Sequence, residues 1–255
     1  MKKNNKDSSM LFILVVVAIL VILLVVVALT TFIKPKNTDG AVTTTTTTPT
    51  TAPDPTFSTQ ANEDIVGQTA FLGNNLYITK IGKYSGAYME DGSNEYVSDV
   101  MMAILENQGE KDLQLARIEL VYADFTANFE VTNLPAGESV VLLEKNRHAY
   151  VSDSYLQANI NSETFYAEPM NLKEEQVKVT GGKREITVEN ISDETLGKIF
   201  VYYKSCAADQ LYGGTTYRVS VEAGLEPGTS TTIHTGHYYE TASTIVLVEI
   251  YPYSE

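Results

Sequence analysis

His234-Thr235-Gly236-His237 is the one place in this 255-residue chain where two histidines stand close together. A zinc site needs three or four converging ligands, and the chain holds only three histidines and one cysteine, Cys206. A His-x-x-His spacing on a strand that runs into a turn does not put both imidazoles on one face, so the pair reads as polar residues at a strand end. Nucleophilic hydrolysis fares no better: there is no G-x-S-x-G elbow and no S-x-x-K. Nothing recommends His148, His234 or His237 as the base of a serine nucleophile. Cys206, the thiol of any thiol–histidine dyad, reads as a small buried hydrophobe. Glu90-Asp91-Gly92-Ser93-Asn94-Glu95 gathers oxygen ligands suited to Ca²⁺ but lacks the EF-hand spacing, and reads as a solvated loop. No catalytic, cofactor-binding or metal-ligating residue is therefore assigned, and a non-enzymatic protein is expected.

What positions everything else is the run Met10–Ile33, MLFILVVVAILVILLVVVALTTFI, which contains no charged residue, Gly or Pro. At about 1.5 Å per residue it makes a helix of roughly 36 Å, enough to cross a ~30 Å hydrocarbon core with some tilt. It exceeds a signal-peptide core, and Val27-Ala28-Leu29-Thr30-Thr31 offers no A-x-A-like cleavage site, so an uncleaved signal anchor is expected. Lys2, Lys3 and Lys6 precede the run, whereas Lys34 and Lys36 follow it, which favours a cytoplasmic N-terminus and an extracellular C-terminal part. The next stretch, KPKNTDGAVTTTTTTPTTAPDPTFSTQ, cannot bury an apolar core and favours extended, polyproline-like conformations, as a stalk does. The expected organisation is a cytoplasmic N-terminus at 1–9, a transmembrane helix at 10–33 and a disordered Thr/Pro-rich stalk at 34–64.

Charge narrows the partners. Residues 1–64 carry five basic and five acidic side chains, so the net charge of −14 rests entirely on residues 65–255. Such a field repels nucleic acid, anionic lipid headgroups and anionic wall polymers, and suits a cationic protein surface or divalent ions. One cysteine forbids an intrachain disulfide, so the fold must stand on its core.

Residues 65–255 carry an internal repeat. Glu106-Asn107 is followed by Leu113, by the strand-like RIELVY and by Leu134-Pro135-Ala136-Gly137; Glu189-Asn190 is followed by Leu196, by KIFVYYK and by Leu225-Glu226-Pro227-Gly228. The spacing between the two copies lengthens by the insertion Ser205–Gly214, SCAADQLYGG. RIELVY and Arg184–Glu189 alternate polar with apolar residues as half-buried strands do. Val140–Leu143 and Ile245–Val248 read as short buried strands, and Gln108-Gly109, Gly181-Gly182, Gly213-Gly214 and the two Leu-x-x-Gly segments read as turns. An all-β fold is predicted, as two β-sandwich modules at 65–168 and 169–255.

The pairing of Val-x-Asn with a later Leu-x-Pro-Gly, strand between, resembles the small immunoglobulin-like modules repeated in surface proteins of Gram-positive bacteria. The second copy, TTYRVSVEAGLEPG followed by HYYETASTIVLVEIY, is similar to uncharacterised membrane-anchored proteins of that group. The resemblance implies immunoglobulin-like folds and carries no catalytic residue. Leu134-Pro135-Ala136-Gly137-Glu138 resembles a sortase signal, but it lies mid-domain with no apolar tail behind it, and is rejected as one. All 16 tyrosines lie beyond the stalk; most belong to sheets, and the inserted segment around Tyr212-Gly213-Gly214 is the expected contact surface. The expected function is a single-pass, membrane-anchored surface or envelope interaction module with a protein partner and no cofactor. An accessory subunit of a membrane-bound assembly is the alternative, and a wall-associated hydrolase is more distant.

Overall fold

The computed structural model describes residues 70–152 and 154–253; the anchor and stalk expected at 10–33 and 34–64 lie outside them. Among the described residues there is no helix long and apolar enough to cross a membrane, and the regular structure is all β. The first half contributes β1 (Ala70–Gly73), β2 (Leu76–Ala87), β3 (Tyr96–Asn107), β4 (Leu113–Val121), β5 (Thr126–Leu134), β6 (Ser139–Leu143) and β7 (Gln157–Phe165). The second contributes β8 (Val177–Asn190), β9 (Ile199–Ala207), β10 (Gln210–Val221), β11 (Ser230–Tyr239) and β12 (Ser243–Ile250).

These strands form a seven-stranded sheet ordered β1-β2-β3-β6-β10-β9-β12, a three-stranded sheet β5-β4-β7 and a two-stranded sheet β11-β8. The topology repeats. β4 lies between β5 and β7 as β9 lies between β10 and β12, while β3 pairs with β6 as β8 pairs with β11. Every pairing is antiparallel except β6 with β10, where the two halves meet. Alternation explains the faces. In β4, Ala116, Ile118 and Leu120 are buried while Arg117 is exposed and Glu119 half-buried. They join Met101, Ala103 and Leu105 of β3 and Phe129 and Val131 of β5 in the core of the first half. Ile186 and Val188 of β8 meet Val201 and Tyr203 of β9 and Val219 of β10 in the second. A third cluster, Tyr84, Tyr88, Met102, Val141, Leu143 and Tyr212, lies beneath the β2–β3 connection.

The Asn and Leu-x-x-Gly of the sequence repeat form the same device twice. Asn107 and Asn190 end β3 and β8 and are fully buried. The Asn107 amide donates to the carbonyls of Lys111 (2.9 Å), Leu134 (3.3 Å) and Pro135 (3.2 Å), and its backbone N–H and C=O pair with Glu138 and Gly137. The Asn190 amide donates to Glu194 and Leu225, both at 2.8 Å, and its backbone pairs with Thr229 and Gly228. Each side chain thus holds the turn leaving its strand and the later Leu-x-x-Gly turn together. Gly137 and Gly228 sit at φ 78° and 71°, where a Cβ is strained, which is why both turns end in glycine. Asn133 and Glu144, also buried, are hydrogen-bonded in turn to Tyr166 and to the backbone N–H groups of Asn128 and His148.

The two Gly-Gly pairs read as turns lie inside strands. Gly181-Gly182 sits within β8, where a Cβ on Gly181 would overlap the Tyr238 ring, and Gly213-Gly214 sits within β10. Glycine here serves close approach rather than chain reversal. Between the halves, Lys173–Val177 makes one tight turn closed by Val177 N–H to the Lys173 carbonyl at 2.9 Å.

Replacing Asn107 or Asn190 by Ala removes two or three buried hydrogen bonds that tie two turns together, so each variant should lose about 2–3 kcal/mol of stability, read by urea unfolding of residues 61–255. A loss below about 0.5 kcal/mol for both would remove the clamps as determinants of the fold. The tyrosine-rich cores give a second expectation. Burial pushes Tyr88, Tyr122 and Tyr166 up to about 12 and raises Tyr84 and Tyr217 as well. Unfolded tyrosines ionise near 10, so the folded chain holds more protons above that pH; stability is complete below about 10 and falls as pH climbs toward 12. Phenolate absorbance of these residues should therefore appear together with loss of the β circular dichroism signal. Full ionisation with the dichroism intact would contradict it.

Candidate functional site

Tyr212-Gly213-Gly214, expected at a contact surface, is buried in the seam between the halves. The second part of the inserted segment Ser205–Gly214 begins β10, and Leu211 and Tyr212 pair in parallel with Val140 and Val141 of β6. Leu211, Tyr212, Gly213 and Gly214 are all buried. After Tyr212 the ladder with β9 shifts register and resumes at Tyr217, leaving Gly213–Thr216 as a bulge. Gly214 presses on β5 so closely that a Cβ would overlap the Glu130 carbonyl. Thr132 of β5 closes the contact, its hydroxyl 2.9 Å from that of Thr216 and 3.2 Å from the Gly214 carbonyl.

A buried bulge turns peptide groups away from any ladder, and two charged side chains meet them. Lys204 of β9 is fully buried, and its ammonium donates to the carbonyls of Gly213 (3.2 Å), Gly214 (2.7 Å) and Thr215 (3.4 Å). Glu90, from the β2–β3 connection, receives the N–H of Gly214 (2.9 Å) and Thr215 (3.1 Å) and the Thr215 hydroxyl, and also the N–H of Leu143 (2.9 Å) at the end of β6. Glu90 is half-buried as a residue; its carboxylate is the enclosed end. Burial pulls Lys204 down to about 7 against the opposing pull of Glu90. Burial likewise raises Glu90, opposed by the N–H groups of Gly214 and Leu143 and by the Lys204 charge. With its oxygens engaged by backbone N–H groups from β6 and β10, Glu90 holds the seam.

The rest of the β2–β3 connection clasps both halves. Tyr88 Oη donates to the carbonyls of Glu144 (3.0 Å) and Lys145 (3.1 Å), and Tyr217 Oη donates to the Met89 carbonyl at 2.7 Å. The oxygen-rich 90–95 segment is answered by a cation of the chain itself. Arg147 reaches Asp91 at 2.7 Å and Glu95 at 2.9 Å while lying over the Tyr88 ring at 4.4 Å.

The histidines are dispersed. His237 stacks on Tyr217 with centroids 4.6 Å apart and its Nδ1 lies 3.2 Å from Asn94 Nδ2. His234 is exposed, 3.8 Å from Glu185, and His148 Nδ1 lies 3.3 Å from Glu144. Among the described residues no group of three or more His, Cys, Asp or Glu is placed to hold a metal. Cys206 is half-buried against the first core, where burial raises its thiol pKa. Most second-half tyrosines serve the sheets: Tyr203, Tyr212 and Tyr238 are buried, Tyr251 and Tyr253 exposed. Glu90 and Lys204 escaped the sequence reading, because Lys204 shares its alternation with Phe200 and Tyr202 and nothing local says it will be covered.

A cleft of about 370 Å³ opens where the halves adjoin. Pro135 and Glu138 line it from the first Leu-x-x-Gly turn, Leu172 from the connecting segment, Cys206, Asp209 and Leu211 from the β9–β10 hairpin, and Thr244, Ile245 and Val246 from β12. A second hollow of about 340 Å³ lies by Asn74, Asn75 and Lys111.

Removing one member of a buried charged set leaves the other uncompensated. Glu90→Ala should therefore cost about 3–5 kcal/mol in denaturant unfolding, with Gly214→Ala also strongly destabilising. Arg147→Ala, breaking half-exposed pairs, should cost no more than about 1 kcal/mol. The reverse order would show that the seam does not rest on Glu90.

Compared with known proteins, the chain matches no family model, no curated protein and no solved structure.

Proposed function

We propose that this is a single-pass membrane protein whose C-terminal part stands outside the cell as a non-enzymatic interaction module of the surface or envelope. In this reading the two halves are immunoglobulin-like β-sandwiches, as in the surface proteins of Gram-positive bacteria that the sequence resembles. The observation that carries it is the seam. A shared seven-stranded sheet and the Glu90–Lys204 bulge join two repeats into one body, which suits presenting a surface rather than moving around a substrate. The apolar run at 10–33 and the Thr/Pro-rich stretch after it supply an anchor and a spacer. The accessory-subunit reading draws on the same features and differs only in the partner's location.

Protease added to intact protoplasts should remove everything beyond about residue 40, the region past the anchor. Cross-linking on intact cells, then purification from membranes, should recover a protein partner with the full chain and none with a chain ending at residue 64. Protection of the C-terminal part, or recovery of the same proteins with the truncated chain, would refute the proposal. Recovery of an integral membrane complex would favour the accessory subunit.

A further inference from the structure

Resting on the interaction-module reading, we infer that the cleft at the seam binds an extended, cationic and aliphatic segment of a partner protein, laid along the outer edge of β12. The cleft exists only because the halves are joined, since Glu138 comes from one half while Asp209 and β12 come from the other. Its walls are aliphatic, with Leu172, Leu211, Ile245 and Val246 facing it, and its charged lining residues are Glu138 and Asp209, both acidic. Among the described residues neither carboxylate has an ion-pair partner, in a chain whose net charge is −14. Complementarity therefore asks for Lys or Arg at the rim and aliphatic side chains within, and the wider field steers cations toward it.

Shape argues for a strand. β12 closes one edge of the large sheet and pairs with β9 alone; among the described residues no strand pairs with its outer side. The Asn171 carbonyl accepts from Val248 N–H at 2.9 Å, beyond the Thr244–Val246 stretch that lines the cleft. An extended peptide added to this edge sends alternate side chains toward the cleft, so backbone pairing and pocket filling act together. Ala208 and Asp209 form the β9–β10 hairpin tip at φ 47° and 65°, which places the Asp209 carboxylate at the rim.

Cys206 lines the cleft and is the sole cysteine, so it reports occupancy directly. The full chain in non-ionic detergent is alkylated with iodoacetamide and followed by mass spectrometry. The probes are a capped Lys-Val-Lys-Val-Lys-Val peptide, its Glu-Val counterpart, and the Lys-Val peptide N-methylated at every residue. At about twice its Kd the Lys-Val peptide should slow alkylation about threefold, because two thirds of the clefts are then filled. The other two probes should leave the rate unchanged. Glu138→Gln with Asp209→Asn should abolish protection, read as the ratio of each chain's rate with peptide to its own rate without, since burial and the Asp209 charge itself both raise the Cys206 thiol pKa. No slowing up to millimolar peptide, equal slowing by the Glu-Val probe, or slowing by the N-methylated probe would overturn the inference. So would a rate that falls with protein concentration alone, the mark of a second copy in the cleft. If the cross-linked partner persists on the Glu138→Gln/Asp209→Asn chain, the cleft inference falls while the surface-module reading stands. If no partner is recovered from cells, that reading falls and the peptide assay alone decides the cleft.

Discussion

Four residues of β10 depart from the ladder at the point where the two halves meet, and their peptide groups need partners from elsewhere in the chain. An unpaired buried N–H or C=O costs about 1–3 kcal/mol, so several left open would consume a large part of a typical folding free energy. The chain answers with opposite charges from opposite halves. The Glu90 carboxylate takes the amides of Gly214 and Thr215, and the Lys204 ammonium takes the carbonyls of Gly213, Gly214 and Thr215. Each ion is desolvated, which is unfavourable, but each fills its hydrogen-bonding capacity with fixed backbone dipoles. Glu90 also takes the N–H of Leu143, so one carboxylate secures β6 and β10 together.

The duplication gives the seam its meaning. In each half a three-stranded layer, β5-β4-β7 or β10-β9-β12, faces a layer containing β3 and β6 or β8 and β11. The first half's β6 layer and the second half's β10 layer then merge edge to edge. Two free sheet edges, each a liability for aggregation, are thereby removed. The merger needs only the short parallel contact at Leu211 and Tyr212, both from the inserted segment. A stretch that looks like an appended loop when the repeats are aligned is what makes two copies behave as one body. The joining also creates the cleft, whose walls neither half supplies alone.

The β character was legible because it follows from local rules. Period-two alternation in Arg117–Val121 and Arg184–Glu189 marks strands with one buried face, and Ala116, Ile118, Leu120, Ile186 and Val188 are buried accordingly. The repeated Asn and Leu-x-x-Gly were visible as spacing, and the structure gives the reason: a buried amide that holds two turns at once. Glycine misled where it served packing. Gly181-Gly182 and Gly213-Gly214 look like reversals, but a bare Cα is needed there because Tyr238 or the Glu130 backbone comes too close.

By itself the sequence determined an all-β region, a duplication within it, an acidic balance and a single thiol, since these depend on residue type and on intervals of a few residues. Only the tertiary structure decided that Glu90, read among solvated loop residues, and Lys204, read within a strand, would be enclosed around one bulge. They lie far apart in the chain, and no local period records which surface will cover them. The same holds for the parallel pairing of β6 with β10 and for the cleft beside it. Both arise from contact between distant segments, where shape and hydrogen-bond satisfaction, rather than local pattern, select the partner.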